Sequence, residues 1–116
     1  MNKEVAKSIW ENAKNYNSEH SLTLEERRAK FMAETSTIVS EKHNLPIHDI
    51  RPEVEKWKGL VVELPKGSNY ISPTAKGKAM QVFESNWREE NYSKTTTSPE
   101  YVRDYIEWSN AYLKNI

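Results

Sequence analysis

Apolar residues recur along most of this chain at intervals of three and four, the spacing of one face of an α-helix. Val5, Ile9, Ala13 and Tyr16 form one stripe with Ala6 and Trp10 beside it, which predicts an amphipathic helix over residues 2–17. The polar run NSEHS then breaks the pattern. Thr23 followed three residues later by Glu26 is a capping box, so a second helix should start at Leu24 and turn Leu24, the stem of Arg28, Phe31 and Met32 inward. Thr35 or Ser36 is a candidate cap for a new start, which divides 24–43 into two helices; one uninterrupted helix to His43 fits the same periodicity.

Asn44 is the expected exit from that helical run, because its short polar side chain tolerates positive φ. Ser40, four residues earlier, is small enough for two crossing helices to approach. Leu45, expected under the turn, precedes Ile50, Val54 and Trp57, which share one face of a helix starting near Ile47 or His48. Ile38 and Val39 supply the apolar side of the helix before it. Pro52 then lies near a first turn, where a missing N–H costs little. Alternatively Asp49 or Arg51 caps and Pro52 is the first helical residue.

After Gly59 the pattern changes. LVVEL is a β-branched run of strand length, PKGSN has turn chemistry and Tyr70-Ile71-Ser72 reads as a return strand, together a short β-hairpin. A helix from about Pro73 or Thr74 to Asn91 turns Ala75, Ala79, Val82 or Phe83, and Trp87 inward. The run 93–98 reads as a linker. Ser98-Pro99-Glu100 combines a cap, a proline at the first position and an acid in the first turn, and opens a helix over 99–114. That helix carries Tyr101, Val102, Tyr105, Ile106, Trp108, Tyr112 and Leu113, more apolar surface than one narrow stripe holds.

Composition narrows the class. The 116 residues suit one domain, divided into an N-terminal helix (1–22), a central unit (23–92) and a C-terminal helix (93–116). The mean hydropathy of −0.89 and the lack of a long apolar run argue for a soluble chain with no membrane partner. There is no cysteine, so disulfides and thiolate chemistry are excluded and a cytoplasmic setting is compatible. His20, His43 and His48 have no metal-ligand spacing, the three glycines stand singly, and adjacent acids such as Glu25/Glu26 and Glu89/Glu90 face different ways on a helix. An enzyme, a metal and a cofactor are not expected. Net charge is zero, but from Lys56 to Lys78 five lysines face Glu63 alone, a local balance of +4.

The order Val39-Ser40, Asn44-Leu45, Ile50, Val54, Trp57, Gly59-Leu60-Val61 and Tyr70-Ile71-Ser72 resembles the winged helix-turn-helix of small bacterial transcription regulators of the MarR and PadR kind. Thr74-Ala75-Lys76-Gly77 looks like the Thr-x-x-Gly step after the wing in that family. Pro73 stands where the family usually has Leu, and the hairpin return is one residue longer. The resemblance implies a mainly α fold with a small β-hairpin (α+β), a winged core with extra terminal helices.

It also implies sequence-specific binding of double-stranded DNA by a transcription regulator, with residues 47–58 in the major groove and the wing over 60–72 on the backbone. His48 and Arg51 are the base-reading candidates on that helix, since their donors reach base edges. Lys56, Lys58, Lys66, Lys76 and Lys78, with Ser68 and Asn69 at the wing tip, are the phosphate-contact candidates. Trp10, Tyr101, Tyr105, Trp108 and Tyr112 are the candidates for a homodimer interface. Asp49, Glu53 and Glu55 on the reading helix favour an alternative, a non-enzymatic protein-interaction module, such as a phage or mobile-element protein that binds a host protein.

Overall fold

The computed structural model describes residues 2–64 and 71–114. Five helices follow in order: α1 (Lys3–Ala13), α2 (Leu24–His43), α3 (Ile47–Lys56), α4 (Pro73–Glu90) and α5 (Pro99–Tyr112). Short 3-10 turns at Lys14–Tyr16 and Lys58–Leu60 continue α1 and follow α3. The helix starts are set locally. Asn2, Thr23, Ser72 and Ser98 each accept a backbone N–H from the first turn that follows, and Pro73 and Pro99 occupy positions where no intrahelical donor is needed. At Thr23 the capping box is complete, with Glu26 bonding back to the Thr23 amide at 3.0 Å.

Residues 24–43 form one helix, not two. Thr35 and Ser36 do not cap, because both are buried and satisfied inside the helix–helix contact. Thr35 Oγ1 accepts from Asn12 Nδ2 at 2.6 Å, and Ser36 Oγ donates to the Met32 carbonyl one turn back. The inward arginine is Arg27, only 1% exposed, whereas Arg28 is half-buried.

The expected β-hairpin is overturned: the described residues contain no strand, and the fold they make is all-helical, not α+β. Leu60 closes a 3-10 turn and Val61–Leu64 run without a ladder. Side chains supply the partners that a return strand would have given. Val61 O accepts from Arg28 Nε at 3.0 Å, Val62 O from an Arg27 guanidinium nitrogen at 3.3 Å, and the Val62 N–H donates to Asn17 Oδ1 at 2.9 Å. Leu60, Val61, Val62 and Leu64 are all buried, so this run fills the core as an apolar plug. A half-buried strand would instead alternate. The expected turn at 65–69 and Tyr70 lie outside the described residues.

The core is an aromatic cluster that joins α1, α4 and α5 with Trp57, the residue that ends α3. Phe83 of α4 stacks on Trp108 of α5 at 5.0 Å between centroids, and Trp108 stacks on Tyr112 at 5.6 Å. Trp10 of α1 meets Trp57 and Phe83 edge to face. Trp10, Trp108 and Tyr112, expected at a dimer interface, are therefore interior residues of the protomer with no surface to offer a second copy. Tyr101 and Tyr105 are half-buried and pack on Phe83; the outer face of α5 shows Val102 and Ile106 instead. No helix of the described residues is long and apolar enough to cross a membrane.

Tyr112 joins the stack to the plug. Its hydroxyl donates to Leu60 O at 2.5 Å and accepts from Asn17 Nδ2 at 3.0 Å. Burial pushes this phenol up to about 12 from 10.0. The folded protein thus holds a proton that the unfolded chain releases, and the stability it contributes is present below pH 10 and lost between 10 and about 12. Tyr112→Phe should lower unfolding free energy at neutral pH by about 1–3 kcal/mol, since Leu60 O and Asn17 lose a buried partner. It should also make the alkaline fall shallower, leaving the smaller shares from Tyr16 and Tyr101, whose phenols burial also raises, and from Lys3 and Lys30, whose ammoniums are raised by hydrogen bonds to Glu107 and Glu19. Urea denaturation at a series of pH values measures both effects.

Candidate nucleic-acid interface

Helices α2 and α3 are joined by Asn44, Leu45 and Pro46, a turn of the length found in helix-turn-helix units. Asn44 takes the left-handed conformation at φ 54°, ψ 47°. Its N–H bonds to Glu41 O, and the Leu45 N–H bonds to Ser40 O at 3.0 Å, which completes a Schellman-type exit. Ser40 Oγ donates to Leu45 O and braces the turn further. Leu45 and Ile38, expected to be inward, are instead partly exposed beside this turn.

Pro46 caps α3, and Pro52 sits six residues in, beyond the first turn. The carbonyl that its absent N–H would meet belongs to His48. Both residues are exposed, so water reaches that carbonyl and the proline is tolerated. Ile50, Val54 and Trp57 are buried as the spacing predicted, and they hold α3 against the body with its other face outward.

That outward face carries His48, Arg51, Glu55 and, at the same spacing just beyond the helix, Lys58. The His48 side chain is 79% exposed and lies 3.4 Å from Asp49. Arg51 is exposed and makes no ion pair among the described residues. Lys56 leaves the phosphate-contact set: it pairs with Glu90, and its ammonium sits 5.8 Å from the Trp57 ring centroid. Lys58, Lys76 and Lys78 are exposed. Lys66, Ser68 and Asn69 lie outside the described residues. Lys78 shares a groove with Arg28 and Gly59, so Arg28, expected to turn its stem into the core, is a basic group there. Gly59 lets α4 approach closely here, because a Cβ would stand 2.9 Å from Val82 Cγ2 and force that side chain to shift.

The described histidines form no metal cluster with acids. His43 Nε2 lies 2.9 Å from Ser8 Oγ. The same hydroxyl lies 3.1 Å from the Glu4 carbonyl one turn back, which competes with His43 for its single proton. The exposed basic residues can donate hydrogen bonds and offer positive charge, beside the carboxylates of Asp49 and Glu55. No protein-family model, curated protein or solved structure is detectably similar to the chain.

The turn at Asn44 carries a direct test. Asn44→Ala should cost about 1–2 kcal/mol, the penalty of a left-handed backbone for an ordinary residue, whereas Asn44→Gly should be close to neutral. Thermal or urea unfolding of the two variants beside the parent distinguishes them.

Proposed function

We propose that the protein binds double-stranded DNA with α3 in the major groove and acts as a regulator of transcription. The observation that carries this reading is the outward, N-terminal half of α3, where Arg51 is exposed and unpaired among the described residues. Helix-turn-helix units read base edges with that part of the second helix. Arg51 would donate in bidentate fashion to guanine, and His48 would reach a neighbouring base. Lys58, Lys76, Lys78 and Arg28 would meet phosphates, which orient the helix without reading sequence. Trp10, Trp108 and Tyr112, three of the five aromatic residues expected between two copies, belong to the core, so the proposal is confined to one copy on its site. A cytoplasmic location accords with this role.

A second reading, a protein-interaction module, is favoured by the charge of α3 itself. Asp49, Glu53 and Glu55 share that helix with Arg51, and Lys56 is neutralised by Glu90. A mixed-charge face of this kind suits a protein partner with complementary charges.

The test is duplex selection from a random pool, followed by anisotropy titrations across salt concentration. The logarithm of affinity should fall linearly with the logarithm of salt, as counterions compete for the phosphates. Lys58→Glu combined with Lys78→Glu should abolish retention. Arg51→Ala should cost about 1–3 kcal/mol on the selected site and relax preference at one base position. Absence of any retained duplex at low salt overturns the DNA reading in favour of the protein partner.

A further inference from the structure

A cleft of about 410 Å³ opens on the opposite flank of α3 from Arg51, between α1, α3, α4 and α5. Its size is at the small end of ligand pockets. Trp10, Trp57, Phe83 and Trp87 form its walls, and Glu53, Glu90 and Asp104 bring carboxylates to it. The three indoles are not equivalent. Trp57 Nε1 donates to Glu53 at 3.0 Å and Trp87 Nε1 donates to Asp104 at 2.9 Å. Trp10 Nε1 has no partner among the described residues, although Trp10 is only 4% exposed. Its edge-to-face contacts with Trp57 and Phe83 are a weak substitute for an oxygen acceptor.

The carboxylates are not equivalent either. Asp104 is met by Lys3 at 3.2 Å, and Glu90 is met by Lys56. Glu53 accepts from a neutral indole only and has no cation among the described residues. At the rim the chain already uses the chemistry in question, since the Lys56 ammonium sits against the Trp57 ring and pairs with a carboxylate. What the cleft lacks is a positive charge for Glu53 and an acceptor for Trp10.

We propose that this cleft binds a small organic cation, an ammonium or guanidinium on a short apolar stem bearing a carbonyl or hydroxyl. The cation pairs with Glu53, the stem lies along the aromatic walls, and the stem oxygen accepts from Trp10 Nε1, an atom closed off from solvent in the free protein that the ligand uncovers as it displaces the indole edge. The source is either a free amine or a Lys or Arg side chain presented by a polypeptide. The inference does not rest on DNA binding.

The experiment follows the tryptophan indole signals of the full chain by ¹⁵N-correlated NMR. Probes are Nα-acetylated argininamide as the free cation, an acetylated and amidated Gly-Arg-Gly peptide as the presented side chain, and Nα-acetylated citrullinamide as the neutral isostere. The Trp10 indole N–H should shift saturably with argininamide or with the peptide and not with citrullinamide; the tighter of the two cations identifies the source. Glu53→Gln keeps the acceptor for Trp57 and hence the fold, and should weaken cation binding by about tenfold or more. Glu55→Gln, on the outward face, should leave it unchanged. The proposal is overturned if neither cation moves the Trp10 signal, if citrullinamide binds equally, or if Glu53→Gln binds as the parent does.

Discussion

A buried guanidinium holds this fold together. Arg27 is enclosed between α2 and the run after α3. It donates to the Asn17 carbonyl, to the Val62 carbonyl and, at 2.6 Å, to the Glu63 carboxylate. Enclosing a charge is unfavourable unless it is paired and its hydrogen bonds are made. Here the pairing is what gives Val61–Leu64 a defined course, because among the described residues there is no strand for them to bond with. Asn17 extends the same network by bonding to the Val62 amide and to Tyr112, which in turn reaches Leu60. One polar cluster thus fixes the end of α1, the start of α2, the plug and the end of α5. Removing Arg27 alone would strand its acceptors. An apolar residue of similar volume would leave the plug without its register, even if burial were restored.

Several helix boundaries were legible in the sequence because they are decided within four residues; the start expected at Thr35 or Ser36 is absent, since both side chains are engaged in packing. Thr23 with Glu26, Ser98 with Pro99 and Asn44 with Ser40 carry their own capping geometry, and all three behave as their residue types require. The hairpin was misread because LVVEL is equally apt for a strand and for an apolar plug. The choice is made by Arg27, Arg28 and Asn17, which lie more than thirty residues earlier in the chain. No local pattern carries that information. The buried face of α2 was obscured for a related reason. Its inward positions alternate apolar Phe31 and Val39 with polar Arg27 and Thr35, so the stripe is regular in space but not in hydrophobicity. The tyrosines and tryptophans of α5 were recognisable as too many for one stripe. Only the stack through Phe83 shows that α5 lies deep enough to bury them.

The candidate interface was legible in a similar proportion. Side-chain type and periodicity placed His48 and Arg51 outward and Ile50, Val54 and Trp57 inward, and the packing agrees. Ion pairing was not legible. Glu90 lies 34 residues from Lys56, yet it removes that lysine from the exposed positive charge. Arg28 compensates on the other side, reaching the groove beside Gly59 while bonding to Val61 O.

This redistribution bears on how α3 would act on a duplex. The helix is net acidic, with Asp49, Glu53 and Glu55 against Arg51 and a Lys56 already paired with Glu90, so it contributes no long-range attraction, and the approach depends on charges at its flank. Glu55 follows Arg51 by one turn on the outward face, close enough to orient a guanidinium between base edge and carboxylate. Such an arrangement trades affinity for discrimination, because the wrong base leaves both the arginine and the acid unsatisfied. On its other flank the same helix fixes Trp57 between Glu53 and the stacked Phe83. A ten-residue helix with a proline in its interior has little stiffness of its own. Its outward face is therefore presented in one orientation only as long as the aromatic packing behind it stays closed.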